Sequence, residues 1–172
     1  MLIGGYRNIG LVSSRDIGVS SIKERKYGFY ERISAGSLKR NDGCEVELRM
    51  DSVGPAGISI IENDVQSITK YLKENPSLDA LVSLESGFLP DIYEACRLLN
   101  IRIPEDMAIC SFDEDYSSPL GFFFTHVKQD EVAIAEKAME LIDSMLNGKF
   151  DLKVNNYKIP GIFKEGKSTI IK

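Results

Sequence analysis

The chain has 172 residues, enough for one well-packed domain and short for two. Its composition, 43% hydrophobic and 27% charged, is typical of a globular protein, and a net charge of -5 argues against a basic face that grips nucleic acid. No apolar run approaches the roughly 18 residues of a membrane span, and the first ten residues lack the features of a signal peptide, so we expect neither.

Apolar periodicity alternates between two and 3.6 residues along most of the chain. Residues 8–14 (NIGLVSS) are the first predicted strand, and Ser20 or Ser21 can cap the helix that follows. The inward stripe of that helix has four members: Ile22, Lys26, Phe29 and Ile33. The next elements are a strand at 44–50, a helix from a cap at Asn63 or Asp64 to Asn75, a strand at 79–84, a helix beginning near Pro90 and a strand at 107–112.

The last third of the chain carries the clearest helix. A strand-like segment at 121–127 precedes it, and the helix is predicted at 130–147, with Asp130 at its start and Gly148 as its stop. A last strand is predicted at 155–160. The apolar stripe of this helix has five members: Val132, Ala135, Met139, Ile142 and Leu146.

Strands that alternate with helices through short loops predict an α/β fold, with a parallel sheet flanked by helices. Such sheets bind ligands at the carboxyl ends of their strands. Three acids, Asp113 to Asp115, follow the fourth strand, Glu85 and Ser86 follow the third, and the loop before Arg25 follows the first. All three groups are therefore expected at one edge of the sheet.

Each of these residues also has a purely structural interpretation. The acids could be a solvated loop, Arg25 an exposed helical arginine, and Glu85 a cap of the next helix. Alternatively, these residues form a binding site. Carboxylate and guanidinium groups that face each other across a cleft can hydrogen-bond neighbouring hydroxyls of a ligand such as a sugar or a nucleoside.

An enzyme is not expected. The acidic edge at Asp113 to Asp115 resembles the Mg²⁺ edge of phosphoryl-transfer proteins, but no lysine stands at a neighbouring strand end. Phosphate-loop, GxGxxG and GxSxG motifs are missing from the sequence, and His126 is the only histidine. The odd cysteines, Cys44, Cys96 and Cys110, form no CxxC pair and are expected to be reduced in a cytoplasmic protein. We predict no catalytic residue, no metal and no cofactor.

Four stretches carry a wider pattern. They are GYRNIGLVSS at 5–14, Arg25 three residues before Gly28, NIRIPEDMAICSFDED at 100–115, and FTHVKQDEVAIAEKAMELI at 124–142. In this order and spacing they resemble motifs of the lactose/galactose repressor family of bacterial transcription regulators. The third stretch carries the most characteristic positions: Pro104, Asp106, Phe112 and Asp113.

The resemblance implies a periplasmic-binding-protein-like fold of type I, in which two α/β subdomains enclose a small effector. Residues 1–127 would be the C-terminal, effector-binding subdomain, 128–160 a helix and strand of the first subdomain, and 161–172 a terminal return segment. It also implies that the chain is a fragment, without the helix-turn-helix head and half of the first subdomain. The apolar stripe of the helix at 130–147 would then have lost its sheet, and self-association or repacking is expected to bury it.

The resemblance assigns Arg25 and Asp113 to effector contacts, with Gln129 as a weaker candidate. Glu85 and Ser86 stand where the family commonly has Asn-Asp. The Glu85 carboxylate, which only accepts hydrogen bonds, therefore replaces an asparagine amide, which also donates them. Ser111 replaces a glycine, and 49–59 lacks the aromatic residue that often stacks on a sugar. The expected effector is a small polar molecule rather than a simple sugar.

Three functions follow from these observations. The first is the effector-sensing part of a cytoplasmic regulator, whose homodimer binds DNA only through the missing head and shifts between two states when the effector binds. The second is a solute-binding module of transport or chemotaxis on the same fold. The third, a Mg²⁺-dependent phosphatase or phospho-acceptor domain, predicts metal binding at Asp113 to Asp115.

Overall fold

The computed structural model describes residues 5–15, 18–35, 44–48, 61–113, 124–148 and 157–170, with the side chains of 61–63 left aside. Within these residues the α/β fold predicted from the sequence is confirmed. In chain order the elements are β1 (Ile9–Ser14), α1 (Ser20–Ala35), β2 (Glu45–Leu48), α2 (Ile61–Glu74), β3 (Ala80–Ser83), a 3₁₀ turn (Ser86–Phe88), α3 (Leu89–Leu98), β4 (Ala108–Phe112), β5 (Thr125–Lys128), α4 (Glu131–Leu146) and β6 (Ile162–Lys164).

The sheet has the strand order β2-β1-β3-β4-β5-β6, and its first five strands are parallel. The chain moves outward from β1 to β2, crosses back to β3 and then continues through β4 to β5. Val12 pairs with Ser83, and Ser83 pairs with Ser111, so these three strands end within two residues of one another. Their carboxyl ends therefore form a single edge, as expected for parallel strands.

The two faces of the sheet carry different helices. Val12, Leu81 and Ile109 are fully buried under α2 and α3, where Ile68 and Ile92 pack against them. Strand residues of opposite parity point to the other face, towards α1. The helix contacts there are made by four residues of α1: Ile22, Phe29, Tyr30 and Ile33. Burial on both faces explains why the strands are nearly continuous apolar runs.

One close approach locks the centre of β1. A Cβ atom at Gly10 would lie 2.5 Å from the Tyr71 hydroxyl and 2.8 Å from Leu81 Cδ2. The Tyr71 hydroxyl donates to the Cys44 carbonyl oxygen at 2.7 Å, which also accepts from Leu11 N at 2.8 Å. Burial raises the pKa of Tyr71, so it stays a donor. Gly10 thus lets α2 approach β1 and β2 closely.

The terminal segment is tied into the sheet by Ser168. Its hydroxyl donates to the Ile109 carbonyl oxygen at 2.6 Å and accepts from Thr125 N at 2.8 Å. Its carbonyl oxygen accepts from Ile109 N at 2.9 Å, and Ser168 is fully buried. The segment also reaches the other end of the chain, because the Tyr6 hydroxyl donates to the Ile170 carbonyl oxygen at 2.7 Å.

The last strand differs from the prediction. Residues 157–160 of the predicted strand at 155–160 form no strand, and 155–156 lie outside the described residues. The strand is β6, which pairs antiparallel with β5 through His126–Lys164 and Lys128–Ile162. Three residues at a sheet edge carry too little periodicity to mark a strand, so only the pairing with β5 defines it.

Helix α4 occupies its predicted position, with the Asp130 carboxylate accepting from Ala133 N at 3.0 Å as its cap. None of its residues is buried. Within the described residues the predicted stripe is exposed throughout: Val132, Ala135, Met139, Ile142 and Leu146. The assignment of α4 to another subdomain, and the boundaries at 127 and 160, remain predictions.

Candidate functional site

The five residues predicted as a site lie around one cavity at the carboxyl edge of the sheet. This edge cavity has a volume of about 580 Å³ and is lined by Arg25, Glu85, Ser86, Asp113 and Gln129, among others. Arg25 comes from α1, Glu85 and Ser86 follow β3, Asp113 follows β4, and Gln129 follows β5. The parallel topology brings together residues up to 104 positions apart, from Arg25 to Gln129 (129 − 25).

An ion pair spans the edge cavity. The Arg25 Nη2 donates to Asp113 Oδ2 at 2.8 Å, and Nη1 donates to the Leu84 carbonyl oxygen at 2.8 Å. The guanidinium carbon lies 4.9 Å from the centre of the Phe112 ring. The side chain of Arg25 is 17% exposed and that of Asp113 is 38% exposed. Arg25 is therefore held on three sides and presents a fixed cation to the cavity.

Asp113 adopts a backbone conformation that few residues favour. Its φ angle is +65°, in the left-handed region. The conformation is held by Asp113 N, which donates to the Val127 carbonyl oxygen at 2.9 Å, and by the Ser111 hydroxyl, which donates to the Asp113 carbonyl oxygen at 3.2 Å. Aspartate tolerates this region better than most residues. A strained residue beside a cavity is common at functional sites.

Glu85 does not act as the helix cap that the sequence allowed. It precedes the 3₁₀ turn in an extended conformation, and its side chain makes no capping hydrogen bond. Its carbonyl oxygen accepts from the Ser83 hydroxyl at 2.7 Å. Its Oε2 is buried and has no hydrogen-bond partner among the described residues. A buried acceptor without a donor is costly, so a ligand hydroxyl or amine would be favoured there.

Helix α1, which carries Arg25, is anchored to β2 by a charged cluster. Lys26 Nζ lies 2.6 Å from Glu45 Oε1 and 2.8 Å from Glu47 Oε1. Glu45 also accepts hydrogen bonds from the hydroxyls of Ser13 and Tyr30. Burial alone would raise the pKa of Glu45, but the hydrogen bonds outweigh it and hold the pKa below its usual value. Glu45 thus stays ionised and fixes the helix that positions Arg25.

Sequence reasoning missed several residues of the edge cavity. They are Ser14, Val19, Ser21, Ile22 and Gly87. The signal that could have found Ser14 is its place at the end of β1, the same rule that found Glu85 and Asp113. Ser21 lies in the first turn of α1, facing the same edge.

The metal alternative gains no support from the described residues. Among them, no group of three or more histidine, cysteine, aspartate or glutamate side chains could hold an ion. Glu114 and Asp115, the other two acids of the predicted Mg²⁺ edge, lie outside the described residues. All three cysteines are free thiols, and burial raises the pKa of Cys96 to about 12, which keeps it protonated.

A family model described as a periplasmic binding protein-like domain matches residues 2–169. No curated protein sequence matches the chain at a significant level. No helix of the described residues is long and apolar enough to cross a membrane.

Several solved structures are similar in fold. A sugar-binding transcriptional regulator of the LacI family from Escherichia coli, complexed with phosphate, superposes with a TM-score of 0.76 at 15% identity over 99% of this chain and 58% of its own. The lac repressor dimer bound to operator and the anti-inducer ONPF gives 0.77 at 16% identity over 98% and 55%. A LacI family regulator from Silicibacter pomeroyi gives 0.77 at 18% identity over 98% and 57%. The chain therefore spans a little over half the length of these proteins, and the resemblance seen in the sequence is confirmed at the level of the fold.

Proposed function

The chain belongs to the periplasmic-binding-protein-like domain family, and from that premise we propose that it is the effector-sensing part of a bacterial transcription regulator of the lactose/galactose repressor type. The effector is a small polar molecule with neighbouring hydroxyl or amine groups, such as a nucleoside or a sugar derivative. It binds at the edge cavity, in a cleft that a first subdomain completes. No step of bond making or breaking is involved.

The observation that carries this proposal is the chemistry of the edge cavity. Arg25 offers a fixed cationic donor, Asp113 an acceptor, and Glu85 a buried acceptor for which the described residues supply no donor. Two neighbouring hydroxyls can satisfy such a set, one by accepting from the guanidinium and one by donating to a carboxylate. Ser86 and Gln129, which line the same cavity, supply further hydrogen-bond donors and acceptors.

The similar structures support the regulatory part of the proposal. One of them is a sugar-binding regulator, and another is a repressor dimer on its operator. By analogy, the parent of this chain is a cytoplasmic homodimer that binds DNA through a separate head. Effector binding then changes DNA affinity by its differential affinity for two arrangements of the subdomains.

A solute-binding module of transport or chemotaxis is the second candidate, because the matching family model is described as a periplasmic binding protein-like domain. The two candidates differ in one property that can be measured. A regulator of this type changes its affinity for an operator fragment when the effector is added, and a transport module binds the same solute without binding DNA.

A thermal-shift screen of the intact natural protein tests the site. The ligands are sugars, sugar phosphates, nucleosides and purines, and the variants are Arg25→Met and Asp113→Asn. Matched controls come from the exposed ion pair on another part of the surface, as Arg102→Met and Asp106→Asn.

We expect at least one ligand to raise the melting temperatures of the wild type and of the two control variants. The same ligand should leave the melting temperatures of Arg25→Met and Asp113→Asn unchanged. If the ligand raised the melting temperatures of Arg25→Met and Asp113→Asn as much as that of the wild type, the effector would not bind at the edge cavity. A screen without any hit would count against an effector of these classes.

A further inference from the structure

The charged side chains that line the edge cavity do not balance one another. Among the described residues the lining carries one cation, Arg25, and two carboxylates, Glu85 and Asp113. Arg25 Nη2 donates to Asp113 Oδ2 at 2.8 Å, so these two charges neutralise each other. Arg15 and Lys128 are next to lining residues in the chain, but neither of them lines the cavity. The Glu85 carboxylate is therefore left without a counter-charge in the described lining.

The position of the Glu85 carboxylate makes this imbalance costly. Its Oε2 is buried, and no described residue donates a hydrogen bond to it. Glu85 lies in extended backbone before the 3₁₀ turn, and no side-chain hydrogen bond caps that turn or α3. A buried carboxylate oxygen that lacks a donor destabilises the folded protein. A ligand that supplies both a donor and a positive charge removes this cost.

The Arg25 guanidinium lies close to the same part of the cavity. Its Nη1 donates to the Leu84 carbonyl oxygen at 2.8 Å, and that carbonyl belongs to the peptide group that leads into Glu85. The bonds to Leu84 and Asp113 use two of the five N–H groups of a guanidinium, so others can donate to a ligand. Arg25 and Glu85 can thus bind neighbouring groups of one small molecule.

We propose that the effector carries a protonated amine beside a hydroxyl group, as in amino sugars and amino nucleosides, and that Glu85 selects the amine. This inference rests on the function proposed above and names the ligand class of that site. The ammonium donates to Glu85 Oε2 and supplies the missing charge, while the neighbouring hydroxyl accepts from Arg25.

Other ligand groups satisfy Glu85 less well than an ammonium. A hydroxyl in its place would give Oε2 a donor but would leave the carboxylate charge unbalanced. A phosphate would bring a second negative charge next to the carboxylate, and the two charges would repel each other. The order of affinity at this site is therefore amine, then hydroxyl, then phosphate.

Isothermal titration calorimetry of the intact natural protein with matched ligand pairs tests the inference. The pairs are glucosamine and glucose, galactosamine and galactose, and aminodeoxyadenosine and adenosine, and glucose phosphate is the anionic ligand. The variants are Glu85→Gln, which removes the charge at nearly constant size, and Glu85→Asp, which keeps the charge. Glu105→Gln is the control, because Glu105 is exposed before β4 and does not line the edge cavity.

We expect the amine of at least one pair to bind the wild type and Glu105→Gln about tenfold or more tightly than its hydroxyl partner, since a charge-assisted hydrogen bond is about twice as strong as a neutral one. Glu85→Gln should reduce this ratio of affinities to about threefold or less. Glu85→Asp should keep a larger ratio than Glu85→Gln, because the charge is retained.

Three results would overturn the inference. The first is a ratio that is as large in Glu85→Gln as in the wild type. The second is a hydroxyl or phosphate ligand that binds at least as tightly as the amine and loses its affinity in Arg25→Met, in which case the proposed function stands. The third is a wild type that binds no member of any pair, which would reject the proposed effector classes as well.

Discussion

Asp113 combines an ion pair with a left-handed backbone, and substitutions can separate these two contributions to stability. Asparagine keeps an acceptor for Arg25 and tolerates a φ of +65°, so Asp113→Asn should change the free energy of unfolding by less than about 1 kcal/mol. Glycine and alanine both remove the pair, which contributes at most about 1 kcal/mol because Asp113 is 38% exposed.

Glycine and alanine differ in the backbone. Alanine in the left-handed region costs roughly 1–2 kcal/mol, whereas glycine has no such cost. Glycine loses more conformational entropy on folding, which offsets about 0.4–1 kcal/mol of its advantage. We therefore expect Asp113→Ala to be destabilised by about 2 kcal/mol and Asp113→Gly by about 1 kcal/mol less.

Urea denaturation, followed by far-ultraviolet circular dichroism, measures these differences in the free energy of unfolding. They should appear as shifts of the urea concentration at the midpoint, with an unchanged dependence of the free energy on urea concentration. The matched control is Asp106, which also forms an ion pair but does not have a positive φ. There alanine should be more stable than glycine. If the glycine and alanine variants have the same order of stability at both positions, the left-handed backbone of Asp113 carries no measurable strain. Asp113→Asn is also the cleaner variant for ligand binding, because it removes the charge and keeps the backbone.

Three further predictions concern the fold. Gly10→Ala should destabilise by about 1–3 kcal/mol through overpacking against the Tyr71 hydroxyl, and Tyr71→Phe should relieve part of that cost, so a double-mutant cycle should show favourable coupling. Burial, and to a smaller extent the charge of Asp64, raises the pKa of Asp91 from 3.8 to about 6. Because the folded state disfavours the ionised carboxylate, the free energy of unfolding should fall by about 1–3 kcal/mol as the pH rises from about 4 through 6, and it should level off at higher pH. Asp91→Asn should flatten that decline in urea titrations across pH. Ser168→Ala should cost about 1–3 kcal/mol by chemical denaturation, because backbone groups of β4 and β5 lose their buried partner, and a change below about 0.5 kcal/mol would contradict this role for the hydroxyl.

The order and type of the elements followed from local patterns. Periods of two and 3.6 identified the first four strands and the four α-helices of the described residues within a few residues, because burial of one helix face or both strand faces leaves a repeating apolar signal. Strand β6 escaped this reasoning, since its three residues are defined by hydrogen bonds to β5 and not by a pattern.

The location of the candidate site also followed from the sequence, through topology. Once the strands are parallel, the residues after β3, β4 and β5 must meet at one edge, and Glu85, Asp113 and Gln129 do line one cavity there. Their role in binding an effector is a proposal that the ligand screen tests.

Only the tertiary structure determined how the site residues are paired, which backbone conformation they adopt and which surfaces are exposed. The pair between Arg25 and Asp113 joins residues 88 apart, and the left-handed φ of Asp113 depends on a hydrogen bond to β5. Among the residues that the structure describes, Glu85 Oε2 has no hydrogen-bond partner and the stripe of α4 is exposed, and both properties depend on the surroundings and not on the identity of these residues. A sequence pattern records which face of an element is apolar, but only the packing of distant segments determines whether that face is covered.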